Sequence, residues 1–419
     1  MDETKNYCVK DMSLAGQGEL NIEWAERQMG ALMKVKQRFE KEKPLKGIRV
    51  GLALHVTKET AVLVKTLIAG GADVAIAGCN PLSAQDDVCA AMAKLGVKVY
   101  AYKGETKEDY YKFINKVIEF KPHITIDDGC DLVTEIHSKH PELIKDIIGG
   151  CEETTTGVIR LKAMEKDKAL KYPMIAVNDC NTKHLMDNVK GTGQSTIDGI
   201  LRATNILIAG KTFVVCGYGN CGKGVAKRAL GMDANIVVVE VDPFRALQAA
   251  MDGFRVLTMK EAAKVGDIFV TITGNKNVID VDHMKLMKSG AILANSGHFD
   301  AEININGLKK IAKQRKIRPF MDEFSFGGRQ IYILGEGRLI NLAAAEGHPS
   351  TIMAMSFCNQ SFACEYLVQN MGKLAPKVHL LPPEKDDEVS RLQLEAMGIK
   401  IDSMTAEQKK YSESWKEGT

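Results

Sequence analysis

The segment Gly217-Tyr218-Gly219-Asn220-Cys221-Gly222 restricts what this chain can fold into more than any other stretch. It follows the apolar run Phe213-Val214-Val215, and the residues from Lys223 to Leu230 read as a helix. A second apolar run, Ile236 to Val239, ends on Glu240, 23 residues past Gly217. Strand, G-x-G-x-x-G, helix, strand and acid in this order make a dinucleotide-binding βαβ unit. The first glycine permits a tight turn, the second admits a pyrophosphate to the backbone, and the third lets the helix pack on the strand. Glu240 suits a ribose 2′-OH and repels a 2′-phosphate, so the expected cofactor is NAD. Gly217 to Lys223 also begins a P-loop, but Gly224 stands where the Mg²⁺-binding Ser or Thr is needed.

Around this unit the chain alternates β-branched runs with helical patterns, which implies α/β architecture with parallel sheets. Ile48 to Leu54 reads as strand, Thr57 to Ala69 as helix and Asp73 to Ala77 as strand. Further strands are expected at Val97 to Tyr100, Ile124 to Ile126 and Met174 to Val177, then at Ile268 to Thr273 and Ala291 to Ala294. The expected fold is two Rossmann-like doubly wound parallel-sheet domains with a cleft between them. The expected division is 1–180 plus 347–380 for substrate, 190–346 for NAD, and 381–419 as a small C-terminal oligomerisation tail. Polar residues follow the strands: Asp127, Asp128 and Asp131 after one, Asn178-Asp179 after another, and Glu240, Asn275 and His298 in the second unit. Carboxyl ends of parallel strands face the ligand crevice.

With 56 basic and 53 acidic side chains the net charge is only +3, which argues against a nucleic-acid partner. No apolar stretch has the length of a membrane span, and the polar, acid-bearing N-terminus is unlike a secretion signal. Ten cysteines without an export signal suggest reduced thiols and a cytoplasmic location. The histidines show no H-x-x-x-H or H-E-x-x-H spacing, so no metal is expected.

Several strings together carry a resemblance. They are His55-Val56-Thr57-Lys58-Glu59-Thr60-Ala61, Asp127-Asp128-Gly129-Cys130-Asp131-Leu132 and Glu152-Glu153-Thr154-Thr155-Thr156-Gly157-Val158. Others are Asn178-Asp179 with Thr182-Lys183 and Asp187-Asn188, then Gly297-His298-Phe299-Asp300, and Gly335-Glu336-Gly337-Arg338 through Asn341 to Gly347-His348-Pro349. In order and spacing they resemble the S-adenosylhomocysteine hydrolase family, short-ended archaeal type.

That resemblance implies reversible hydrolysis of a nucleosidyl-homocysteine by 3′-oxidation, elimination of the thiol, water addition and re-reduction, with one tightly bound NAD recycled per subunit. It implies that Lys183, with Asn188 beside it, takes the 3′-OH proton; this requires a neutral lysine, hence a lowered pKa. Asp131 with His55 resembles the acid/base pair at C4′ and C5′, and His298 the group that activates water. Glu153 and Asp187 would bind the ribose hydroxyls, with Thr154, Thr155, Thr156 and Asn341 at the nicotinamide end. Thr57 and Glu59, with His348 and Met353 opposite, would hold the base. Glu59 accepts hydrogen bonds and favours adenine, while the N1–H of hypoxanthine also suits it, so S-inosylhomocysteine stays open. The resemblance further implies a homotetramer.

Three positions depart from the family pattern: Thr192 stands for a cysteine, Ala84 for a threonine, and the chain ends at Thr419 without the longer tail that reaches a neighbour's cofactor site. Two other readings compete. A simple dehydrogenase would accumulate NADH, and an NAD-sensing regulatory homologue would do no chemistry.

Overall fold

The computed structural model describes residues 6–416, so the outermost ends of the first and last expected segments lie outside the described residues. Six strands come first: β1 (Arg49–Ala53), β2 (Asp73–Ala77), β3 (Lys98–Tyr100), β4 (Ile124–Asp127), β5 (Gly149–Glu152) and β6 (Met174–Ala176). A second group comprises β7 (Thr212–Cys216), β8 (Asn235–Val239), β9 (Arg255–Val256), β10 (Ile268–Thr271), β11 (Ala291–Asn295), β12 (Lys313–Arg318), β13 (Met321–Phe326) and β14 (Arg329–Leu334). The last, β15 (Val378–His379), returns to the first sheet.

The first sheet runs β3-β2-β1-β4-β5-β6-β15 and the second β9-β8-β7-β10-β11-β14-β13-β12. Both are doubly wound, and the winding reverses at β1/β4 and at β7/β10. Central parallel strands are covered by helices on both faces, which explains near-continuous apolar runs such as Ile124 to Ile126 in place of alternation. Leu52 of β1, Leu63 of helix Lys58–Ala69 and Phe362 of helix Ser350–Gln369 share one core. Each such side chain contributes about 1.5–3 kcal/mol on burial.

One part of the second sheet departs from the all-parallel expectation. β12, β13 and β14 form an antiparallel meander appended to the parallel strands. Its outer strand, Lys-Gln-Arg-Lys-Ile-Arg, is exposed throughout. A basic edge of this kind deters pairing with another sheet.

The chain crosses from the first sheet through Val177–Gly191 and returns through Ile340–Ala343 to helix Ser350–Gln369, which packs against β5. The segment expected to be a separate tail divides in two. Helix Pro383–Ala396 docks on the first unit, pairing Glu395 with Lys34, while most of 397–416 is exposed.

Candidate active site

The two reversal points face each other across a crevice of about 900 Å³. Its walls are the residues after β1 (Leu54, His55), β4 (Asp128), β7 (Gly217, Tyr218) and β10 (Ile272, Thr273). Ligands of doubly wound sheets bind at such points because the loops there diverge and leave a gap.

On the second sheet's side the three glycines divide the labour. Gly217 holds φ at +112°, a left-handed conformation that other residues resist. A Cβ on Gly222 would lie 2.0 Å from the Gly217 carbonyl oxygen, so the helix Asn220–Leu230 approaches only because that side chain is absent. A Cβ on Gly219 would meet nothing nearer than an Arg245 nitrogen at 3.7 Å, so this backbone faces open space. Glu240 is fixed by the N–H of Tyr218 at 2.7 Å, with Val241 and Asp242 donating to its other oxygen. The Asn341 side-chain oxygen is buried without a partner, while its nitrogen donates to Ser195 at 3.2 Å. An orphan acceptor on the crevice wall suits a carboxamide N–H₂. Asn220 and Asn275 also line the crevice, as do Thr154 to Thr156 at the start of helix Thr155–Lys166. This donor and acceptor set fits a dinucleotide.

Lys183 stands on the four-residue helix Asn181–His184, which leads into a single π-helical turn, Asp187–Gly191. Its Nζ donates to Asn188 Oδ1 at 2.8 Å and Asp187 Oδ1 at 3.1 Å, and lies 3.7 Å from Glu153. The structure reverses the expected pKa shift: burial lowers it, but Asp187 and Glu153 more than offset that, and Lys183 is held above the ordinary lysine value. Burial alone would raise the Asp187 carboxyl; Lys183 and then His348 pull it well below the usual range. Burial pushes Glu153 up to about 8, with Lys183 opposing and Asp187 adding. Its Oε2 accepts from Gln360 at 2.6 Å, while its Oε1, facing Lys183 at 3.7 Å, is buried without a hydrogen bond and open to a ligand hydroxyl.

His55 and His298 share one carboxylate, and it belongs to Asp128. His55 Nε2 lies 3.4 Å from one oxygen and His298 Nδ1 3.5 Å from the other. The second His55 nitrogen meets Ser83 Oγ at 2.8 Å. Burial lowers His55 to about 4 against the pull of Asp128, so it is neutral at pH 7. Asp131, expected to work with His55, accepts from Arg160 at 2.7 Å and Tyr110 at 2.9 Å, and the carboxylate beside His55 is that of Asp128. Gly129, with φ +112°, makes room for the His298 ring, and Phe299 packs edge-on to it at 4.6 Å. The sequence spacing pointed away from metals, yet His55, Asp128 and His298 bring ligand-type atoms within 4.8 Å of one another from three distant segments.

Beside His55, Thr57 caps helix Lys58–Ala69 and Glu59 sits in its first turn, 1% exposed. Ser350 donates to Glu59 at 2.5 Å and Lys58 lies 3.2 Å away. His348 is held between Asp187 at 3.4 Å and Thr192 Oγ1 at 3.2 Å, so the departure at Thr192 has a structural task. Met353 also lines the crevice.

Profile comparison matches residues 6–140 to "S-adenosyl-L-homocysteine hydrolase" and residues 188–347 to "S-adenosyl-L-homocysteine hydrolase, NAD binding domain". The chain is 59% identical over 417 residues to the adenosylhomocysteinase of Saccharolobus solfataricus, covering 99% of this chain and all of that one. It belongs to the S-adenosyl-L-homocysteine hydrolase family. The S-inosyl-L-homocysteine hydrolase of Methanocaldococcus jannaschii is 58% identical over 414 residues, with 99% of this chain and all of that one covered. As a member the chain is an NAD-dependent hydrolase.

Two contacts escaped the sequence reading. Asp128 was grouped only with Asp127 and Asp131 after one strand, and the placement of His298 reveals that its carboxylate faces both histidines. Asp386, from the supposed tail, accepts from the N–H groups of Asn181 and Thr182 at 2.6 and 3.0 Å and from the Thr182 hydroxyl, capping the short helix that carries Lys183.

Proposed function

We propose that this hydrolase acts on S-adenosyl-L-homocysteine, releasing adenosine and homocysteine. The observation that carries the choice of base is Glu59, a buried acceptor on the crevice wall fixed by Ser350 and Lys58. An exocyclic amine offers the donor that this carboxylate needs.

Bound NAD supplies a hydride acceptor for the 3′ carbon and returns the hydride at the end of the cycle. The protein's own groups do the rest. Glu153 Oε1 and Asp187 hold the ribose hydroxyls, and Lys183, oriented by Asn188, accepts the 3′-OH proton once a cation in the crevice opposes the two carboxylates. Oxidation at 3′ acidifies the C4′ hydrogen, which lets the C5′ thioether leave without direct displacement. Neutral His55 has the free electron pair for proton transfer there. Asp128 steadies it, and His298 across the same carboxylate activates the water that adds at C5′. Asp131, locked by Arg160 and Tyr110, acts by holding the loop Asp128–Asp131 in place.

A second reading, S-inosyl-L-homocysteine, is favoured by the equally high identity to an archaeal enzyme so named. Incubation with each thioether, followed by chromatography of the free nucleosides, separates them. Adenosine without net NADH supports the proposal, inosine alone moves the substrate, and no nucleoside from either removes the catalytic reading.

We assign a homotetramer and a cytoplasmic setting. Phe244, Leu247 and Met251 on helix Pro243–Met251, and Ile401, Met404 and Trp415 near the end, leave apolar surface for neighbouring subunits to cover. None of the ten cysteines is disulfide-bonded, as suits a reducing compartment. Among the described residues no helix is long and apolar enough to cross a membrane.

A further inference from the structure

Asn341, which carries the orphan acceptor on the crevice wall, stands on a helix of only four residues, Ile340–Ala343. A single turn holds a side chain weakly, because its terminal carbonyls have no partners within the helix. The chain that follows meets two of them: Ile340 accepts from the Ala344 N–H at 3.1 Å and Asn341 from the Gly347 N–H at 2.9 Å. The next two are met from the first unit. Lys103 Nζ donates to the Ala343 carbonyl at 2.8 Å and to the Leu342 carbonyl at 3.4 Å. A cation suits this place because the carbonyl end of a helix is its negative end.

Lys103 follows β3 and stands behind the crevice wall, not on it. Its own N–H donates to Asp86 Oδ1 at 2.7 Å. The next residue, Gly104, turns the chain at φ +90° and donates to the Pro81 carbonyl at 2.7 Å. The ammonium lies 5.2 Å from the centre of the Phe320 ring, in the turn between β12 and β13, so the meander supplies a face for it. Burial lowers the pKa of Lys103, with Asp86 opposing. A long side chain is thus ordered and partly stripped of water to reach two carbonyls and a ring. From the other side, Ser195 accepts from Asn341 Nδ2 at 3.2 Å. The helix that carries Ser195 comes close because Gly199 lacks a Cβ, which would stand 2.5 Å from the Ile340 carbonyl oxygen.

We infer that Lys103, from the first unit, is a positioning residue that sets Asn341 of the second unit for the carboxamide N–H₂ of NAD. The inference rests on the placement of Asn341 at the carboxamide. It adds that the grip on the nicotinamide end is assembled from both units. A hydrogen bond weakens steeply as its angle and distance depart from the optimum. A turn released at its carbonyl end would therefore present Asn341 Oδ1 less accurately, while the glycine loop at the pyrophosphate would be untouched.

The test equilibrates the full-length holoenzyme with a mixture of NAD and 3-acetylpyridine adenine dinucleotide, in which an acetyl group replaces the carboxamide and no N–H₂ remains. Chromatography of the dinucleotides released from the washed protein reads the preference. The intact enzyme is expected to favour NAD by at least about 10-fold. Lys103→Met keeps the stem and removes the donors, and should reduce the preference to less than about 3-fold. It should speed release of labelled NAD by at least about 5-fold in the natural chain but by less than about 2-fold in an Asn341→Ala background, since it acts through that residue. Lys103→Gln is read in the same way if Lys103→Met folds poorly. An unchanged preference in a folded variant overturns the inference. Equal acceleration of release in both backgrounds overturns it as well, because Lys103 would then support only the fold. No preference in the intact enzyme would instead remove Asn341 from the carboxamide, and this inference with it.

Discussion

Lys183 Nζ stands 3.1 Å from Asp187 Oδ1, so the group proposed to accept the substrate's proton is held as a cation by the residue four positions along. Removing that charge makes the lysine easier to deprotonate. Asp187→Asn is expected to move the acidic limb of the pH profile for NAD reduction by adenosine about 1–3 pH units lower. Stopped-flow absorbance across pH reads this directly, and a limb that stays in place would detach Asp187 from the control of Lys183.

Asp386 acts on the same lysine from a distance. It caps helix Asn181–His184 through two backbone donors and one hydroxyl. Hydrogen bonds to a charged acceptor are worth about 1.5–3 kcal/mol each when partly buried. Asp386→Ala should lower stability by about 2–4 kcal/mol and kcat by more than it changes KM, because Lys183 is displaced while the base site is untouched. Denaturant titration beside steady-state kinetics separates the two effects.

The path from sequence to these residues was uneven, for physical reasons. Strands β1, β2, β4, β7 and β10 were legible because central parallel strands demand apolar runs. The glycine fingerprint was legible because each glycine answers a steric need that no other residue meets. β5 was not, since Gly149-Gly150-Cys151-Glu152 has no strand propensity and is held by neighbours on both sides. The charged meander β12–β13 likewise hides its pairing. In the site, Lys183, Asp187, Asn188 and Glu153 converge as their strings suggested, whereas the choice between Asp128 and Asp131 as the partner of His55 depends on loop geometry that three nearby acids cannot reveal. The cap from Asp386 spans more than two hundred positions and leaves no local signal.

Gly219 and Gly222 should answer alanine in different ways. At Gly222 the added methyl meets the Gly217 carbonyl at 2.0 Å, so Gly222→Ala should destabilise the cofactor-free protein by about 1–3 kcal/mol. At Gly219 the methyl enters open space, so Gly219→Ala should leave the cofactor-free melting temperature unchanged and weaken NAD binding. Thermal melts with and without NAD decide, and similar cofactor-free melts for the two variants would contradict the assignment.

Asp128→Asn keeps the shape of the loop and removes the charge shared by the two histidines. Proton transfer by a positioned group contributes about 10²–10⁴-fold, and overall turnover should fall by at least the lower figure. Oxidation of adenosine at 3′ is proposed for the Lys183 cluster, so NAD reduction should persist in this variant. Loss of both steps together would mean that Asp128 supports the fold of the crevice and not the chemistry at C5′.

His55 also ties stability to pH. Burial holds it near 4 in the folded chain against an ordinary value of 6.5, so the unfolded chain binds the extra proton first. Its contribution is complete above pH 6.5 and is lost as pH falls through 4. Between pH 7 and 4.5 the difference comes to about 2–3 kcal/mol, trimmed because the side chain keeps 16% of its surface exposed. Denaturant unfolding of cofactor-free protein at both pH values, for the natural chain and for His55→Asn, isolates this contribution from the other titrating groups. The variant should lose less stability on acidification by about that amount, and an equal loss in both would place the His55 proton equilibrium outside the folding balance.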